Sequence, residues 1–202
     1  MIAEATRRSA LADYADRFAS LSAASHGDFS IRELGFLSQV NFRADPSDIS
    51  TMQHLTTSLE GLALPVVPNT VTSRGDHRAL WLGPDEWLIV GPDGKQGAFQ
   101  DTLRVGVAGA FGSVVDVSAN RTVLKISGRN ARELLAHGVP IDLDGRAFGP
   151  GRCAQTLLAK SQVIIERSDD QTFNLYLRSS FAAYAADWLL DAAADPNLAR
   201  AG

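Results

Sequence analysis

Leu80-Trp81-Leu82-Gly83-Pro84-Asp85-Glu86-Trp87-Leu88-Ile89-Val90 is the stretch on which the fold turns. Two apolar runs, 79–82 and 87–90, flank a short connection in which Pro84 precedes Asp85. Proline presets the backbone for a tight turn and aspartate bonds its own backbone there, so the stretch predicts a β-hairpin. Upstream, 36–42 reads as a strand with apolar residues at 36, 40 and 42. Asp45-Pro46-Ser47-Asp48 then supplies turn and helix-start chemistry. A helix follows through Ile49, Met52, Leu55 and Leu59, closed by Gly61 as its C′ residue. Downstream of the hairpin, Phe99, Leu103 and Val107 share one face of a helix expected over 96–107.

The same order then repeats. Runs 114–117 and 122–126 read as strands, and 131–136 as a helix stopped by His137-Gly138 with Pro140 beyond. Strands are expected over 154–158, 163–166 and 173–177, with Ser168-Asp169-Asp170-Gln171 turning between the last two. A final helix from about Ser179 presents Phe181, Tyr184, Ala185, Trp188 and Leu189 at helical spacing for burial. The expected fold is α+β: two similar strand-helix-strand-strand-helix units, with helices on mainly antiparallel sheets. The expected boundaries are an arm over 1–27, a first unit over 28–110 and a second over 111–202, the two units packed as one compact domain.

The chain has 202 residues, 45% of them hydrophobic, with 19 Lys plus Arg against 23 Asp plus Glu. These values suit a soluble globular chain and exclude collagen-like, disordered and disulfide-stapled classes. A net charge of -4 lacks the basic excess that phosphate contacts need, so nucleic acid is not an expected partner. No apolar run reaches the roughly 18 residues that span a bilayer, so no membrane role is expected. Cys153 is the single cysteine, which excludes an intrachain disulfide and fits a reducing cytoplasm. Arg7 and Arg8 are followed by Asp13, Asp16 and Arg17 rather than by the apolar core of a secretory signal.

The catalytic inventory is nearly empty. His26, His54, His77 and His137 stand at no metal-ligand spacing, and no phosphate-cradling glycine motif follows a strand. The glycine-rich run 106–112 reads as a connection between the units, and Arg74-Gly75-Asp76 as a turn. Cys153 reads as a buried structural thiol, and Asp142 with Asp144 as a turn bonding its own backbone. No catalytic, cofactor-binding or metal residue is therefore assigned. Large apolar groups stand out instead. Trp81 and Trp87 flank one turn and suit either the core or an interface, where tryptophan is enriched. Leu11, Tyr14, Ala15 and Phe18 form a narrow helical stripe in the arm. The expected partner-facing residues are Leu11, Phe18, Trp81 and Trp87.

The tryptophan hairpin, Val115-Asp116-Val117-Ser118, Ile126-Ser127-Gly128-Arg129-Asn130-Ala131-Arg132-Glu133-Leu134-Leu135, Pro140-Ile141-Asp142-Leu143-Asp144, Phe148-Gly149-Pro150-Gly151-Arg152-Cys153-Ala154-Gln155-Thr156 and Ser179-Ser180-Phe181 carry a resemblance. Together they resemble the gamma subunit of heterotetrameric sarcosine oxidase, over roughly 31–193. The resemblance implies a cytoplasmic complex that oxidatively demethylates sarcosine to glycine, with hydrogen peroxide and methylenetetrahydrofolate formed. It implies alpha, beta and delta subunits as partners, the alpha subunit in direct contact, and FAD, FMN, NAD and tetrahydrofolate held in those chains. It further implies a fold like the folate-binding domain of the glycine-cleavage T protein. That family places an acidic residue near the strand pair before the equivalent of Trp87; Arg78-Ala79-Leu80-Trp81-Leu82 contains none, and Asp85-Glu86 falls in the turn. The expected function is a non-catalytic subunit of the oxidase. The alternative is a stand-alone folate-binding or one-carbon-transfer protein of the T-protein type.

Overall fold

The computed structural model describes residues 7–195. After a 3-10 turn at Ala12–Tyr14, the elements run α1 (Ala15–Ala24), β1 (Ser30–Leu34), β2 (Ser38–Ala44), α2 (Ile49–Ser58), β3 (Val71–Arg74), β4 (His77–Gly83), β5 (Glu86–Gly91) and α3 (Gln96–Gly106). They continue with β6 (Gly112–Asp116), β7 (Arg121–Ser127), α4 (Ala131–Ala136), β8 (Arg152–Leu158), β9 (Ser161–Asp169), β10 (Thr172–Arg178) and α5 (Ala182–Ala193). The strands form two five-stranded antiparallel sheets, ordered β6-β2-β5-β4-β3 and β1-β7-β10-β9-β8.

Written this way the two orders correspond strand for strand. The sheets nevertheless do not divide at 110. β1 lies in the first unit but pairs with β7, Ile31 opposite Ile126. β6 opens the second unit but pairs with β2, Val115 opposite Asn41. Each sheet thus borrows its outer strand from the other half of the chain, and the halves interlock. Gly128 makes the β1 crossing possible. Its φ is +122°, and a Cβ there would lie 2.4 Å from the Asp28 carbonyl oxygen, so only glycine lets the two backbones approach.

Strand residues alternate between faces, and each sheet is apolar on both. Val40, Phe42, Ala79, Trp87 and Ile89 pack beneath α2 and α3 with Leu55, Phe99 and Leu103. Ile31, Leu124, Ile126, Phe173 and Leu175 pack beneath α1, α4 and α5 with Phe18, Leu135 and Leu189. The opposite faces meet each other through Leu80, Leu88, Val90, Val123, Ile164 and Tyr176. The result is four layers: helices, sheet, sheet, helices. Local chemistry sets the helix ends. Asp48 caps α2 by accepting the Thr51 N–H at 3.0 Å. After α2 the chain turns left-handed through Gly61, whose N–H reaches the Thr56 carbonyl at 2.8 Å.

Four expectations are corrected. The strand placed at 36–42 begins at Ser38, because Phe36 adopts φ +61° in the turn between β1 and β2. β1 and β3 were not expected at all. The last helix buries Ala182, Ala185, Ala186 and Leu189, whereas Phe181 is 45% exposed and Tyr184 is also exposed. The face that reaches the sheet is the small one, which lets α5 approach closely.

The fourth correction concerns the arm. Residues 1–6 lie outside the described part. Beyond them the segment is integral to the fold: Leu11 is 1% and Phe18 2% exposed, both in the core beneath the second sheet. Tyr14 donates to Asp187 of α5 at 3.0 Å, and Arg17 pairs with the same carboxylate at 2.9 Å. Leu11 and Phe18 are therefore unavailable to a partner. A four-residue stripe is enough here because β1 and α5 wall it in on both sides.

Candidate functional site

The layer between the sheets carries the fold's buried polar groups. Register places Arg32, Lys125, Asn174, Glu166 and Cys153 in one row across the second sheet, all on the face turned to the first. Glu166 is buried and fully engaged. Its Oε2 accepts from Tyr176 Oη at 2.6 Å and from Asn174 Nδ2 at 3.0 Å, and its Oε1 lies 3.3 Å from Arg78 of β4. The pair ties one sheet to the other. Burial, and then the Glu166 charge, push the Tyr176 hydroxyl well above its ordinary range, so it stays a donor. Glu166→Ala should lower stability by about 2–3 kcal/mol, because it leaves the buried Tyr176 hydroxyl and the Asn174 amide without their shared acceptor and the partly buried Arg78 without its counter-charge. Urea unfolding checks this; an unchanged midpoint would show the network to be dispensable.

Cys153 neighbours Glu166 on β8 and is buried. Its thiol lies 3.4 Å from the Trp81 carbonyl and 3.5 Å from that of Thr70. Burial, and secondarily the Glu166 charge, push it up to about 12. A thiol so held is protonated at neutral pH and is no nucleophile. Because its folded pKa is raised, the stabilisation is intact below the unfolded value near 9 and is lost as pH rises toward 12. The stability of Cys153→Ala should therefore fall less steeply than that of the natural chain between pH 9 and 12, as denaturant midpoints would show.

The two tryptophans part company. Trp87 is 0% exposed, stacks obliquely on Phe42 with ring centroids 5.9 Å apart, and donates its indole N–H to the Pro65 carbonyl at 2.7 Å. It belongs to this chain's core, which corrects its placement at an interface. Trp81, opposite it on β4, is only half-buried. The turn acids are also spent. Asp85 pairs with Arg43 at 2.7 Å, and Glu86 accepts from Asn41 at 2.7 Å. Asp144 binds Arg146 and Arg132, and Asp142 caps the Asp144 N–H, as the turn reading expects. Among the described residues no group of three or more His, Cys, Asp or Glu could hold a metal.

Two clefts open where the sheets diverge. The first, of about 480 Å³, is lined by Arg7, Arg8, Glu33, Phe36, Asp116 and Arg121 among others. The second, of about 340 Å³, is lined by Arg121, Gln155, Leu157, Gln162, Tyr176 and Arg178 among others. Neither is lined by a histidine or a cysteine. The first sets guanidinium donors beside the Glu33 and Asp116 carboxylates, whereas the second joins guanidinium and amide donors with no carboxylate, a lining suited to an anion. Sequence reading missed this arginine lining. Arg121 and Arg178 are 57 positions apart and belong to no motif, so no local signal joins them.

The fold defines a class: a two-sheet α+β protein with the fold of the T protein. Glycine cleavage system aminomethyltransferase T from Bartonella henselae superposes with a TM-score of 0.62 over 85% of this chain and 48% of its own, at 14% identity. At that identity the likeness is one of fold. The model of the sarcosine oxidase, gamma subunit family, matches residues 43–195, and the chain belongs to that family. Sarcosine oxidase subunit gamma of Corynebacterium sp. (strain U-96) is 34% identical over 187 residues, 92% of this chain and 89% of its own. The Arthrobacter sp. subunit gamma is 36% identical over the same shares. A chain of the heterotetrameric sarcosine oxidase from Corynebacterium sp. U-96, solved in complex with pyrrole 2-carboxylate, superposes with a TM-score of 0.85. It is 33% identical, and the match covers 94% of this chain and 95% of that one.

Proposed function

We propose that this chain is a non-catalytic, structural gamma subunit of a heterotetrameric sarcosine oxidase, working in the cytoplasm. The complex oxidatively demethylates sarcosine to glycine, reduces dioxygen to hydrogen peroxide, and passes the one-carbon unit to tetrahydrofolate as methylenetetrahydrofolate. FAD, FMN, NAD and tetrahydrofolate sit in the alpha, beta and delta partner chains, and the alpha subunit is the direct neighbour. The observation that carries the reading is the end-to-end match to a chain of a heterotetrameric oxidase, 94% of one on 95% of the other. The commitment of Glu166, Cys153 and the turn acids to internal bonds supports a role without chemistry of its own. Trp81, together with the exposed Phe181 and Tyr184, is available to a partner.

The test is co-expression of the tagged chain with the three partner subunits. The tagged preparation should carry flavin absorption and oxidise sarcosine, whereas the chain purified alone should be colourless and inactive. Flavin retained by the isolated chain after dialysis would overturn the non-catalytic reading. Saturable tetrahydrofolate binding to the isolated chain, by calorimetry, would favour a T-protein-like protein acting alone.

A further inference from the structure

Arg121 and Arg178 stand directly opposite one another on β7 and β10. The β10–β9 ladder ends just before Arg178, with Leu177 opposite Val163, and Gln162 of β9 stands opposite Leu157 of β8; all four side chains, Arg121, Arg178, Gln162 and Leu157, line the second cleft. Like charges placed opposite on neighbouring strands repel. The other arginines of the two clefts are matched: Arg7 by Asp93 and Arg8 by Asp13. No carboxylate lies within ion-pair distance of Arg121 or Arg178 among the described residues. The nearby acids are engaged elsewhere: Glu86 accepts from Asn41, Glu33 from Thr122 and Asp116 from Ser118. Burial, and then Arg178, lower the pKa of Arg121, so this charge is partly dehydrated and poorly compensated by its own chain.

We propose that Arg121 and Arg178 receive a carboxylate from an acidic segment of a partner subunit, docked along the cleft from Arg121 to Leu157. The inference rests on the subunit reading above. Two guanidiniums side by side offer the forked donors that a carboxylate accepts from both. Beside them Leu157, 40% exposed in the same cleft, gives such a segment an apolar seat. Gln162 next to it on β9 adds a neutral donor and acceptor. Arginine flanked by apolar surface is the composition enriched in protein interfaces. An acidic side chain brought by a protein fits this surface because the cleft is only half enclosed and its lining carries two guanidiniums and no carboxylate.

The experiment measures association of the tagged chain with its partner subunits by biolayer interferometry at low and high salt. Where the natural chain assembles, Arg121→Gln with Arg178→Gln should weaken association about tenfold or more and flatten its salt dependence. Arg121→Lys with Arg178→Lys should keep most of the salt dependence while losing the forked contacts. Thermal melting of the isolated double glutamine variant should be unchanged or higher than that of the natural chain, since the cross-strand repulsion is gone. That combination separates docking from folding. Association of the glutamine variant with undiminished affinity and slope overturns the inference. So does unchanged assembly with stabilisation of the isolated chain by succinate, because the arginines then take a small free carboxylate. A natural chain that fails to assemble at all overturns the subunit reading, and this inference with it.

Discussion

Trp87→Ala is expected to cost about 3–5 kcal/mol, the upper range for deleting a buried aromatic. The indole sits at 0% exposure beneath α2 and α3, and its removal opens a cavity against Phe42 that the sheet backbone cannot close. It also strands the Pro65 carbonyl, whose partner at 2.7 Å is the indole N–H. A domain of ordinary stability has about 5–15 kcal/mol to lose, so the variant should be marginal at growth temperature. Trp81→Ala, at the half-buried position opposite, should cost much less and should act on assembly instead. Urea midpoints of the two variants decide between them. Equal midpoint shifts would mean that burial does not distinguish the two rings.

Removing residues 2–24 should lower the melting temperature by about 10–20 °C or leave the chain insoluble. The deletion uncovers Ile31 and Phe29 and discards Leu11 and Phe18, each worth roughly 1.5–3 kcal/mol of burial. It also releases Asp187 from Tyr14 and Arg17, although an exposed pair of this kind adds little. Phe18→Ala is the milder form of the same test and should by itself cost about 3 kcal/mol. A truncated chain that melts within a few degrees of the natural one, while losing its hold on a partner, would restore the reading of this segment as a docking arm.

Much of the architecture was legible in the residues. The helix at Ala131–Ala136 falls where Asn130 and His137-Gly138 bracket it, and α2 runs from its Asp48 cap to the turn at Gly61. The β4–β5 hairpin follows from Pro84-Asp85 between two apolar runs. β1 was illegible because Ser30-Ile31-Arg32-Glu33-Leu34 has no apolar alternation; it is a strand because β7 offers it a partner edge and α1 covers it. β3 is likewise a short polar edge, held by β4 and by the Val71 N–H on the Gly151 carbonyl at 2.8 Å. The helical stripe of α5 was placed one position off, because alanine gives little periodic signal beside Phe181 and Tyr184.

The sequence by itself determined the kinds of elements, their repeated order, the absence of a recognisable catalytic motif and the likeness to an oxidase subunit. Those properties reside in spacing, turn chemistry and local composition, which act over a few residues. Only the tertiary structure decided that β1 and β6 change places between sheets, that Leu11, Phe18 and Trp87 face inward, and that Arg121 stands beside Arg178. Each of these is a statement about what lies across a face rather than about the face. Apolar periodicity shows that a surface must be covered, and chain topology alone supplies the element that covers it.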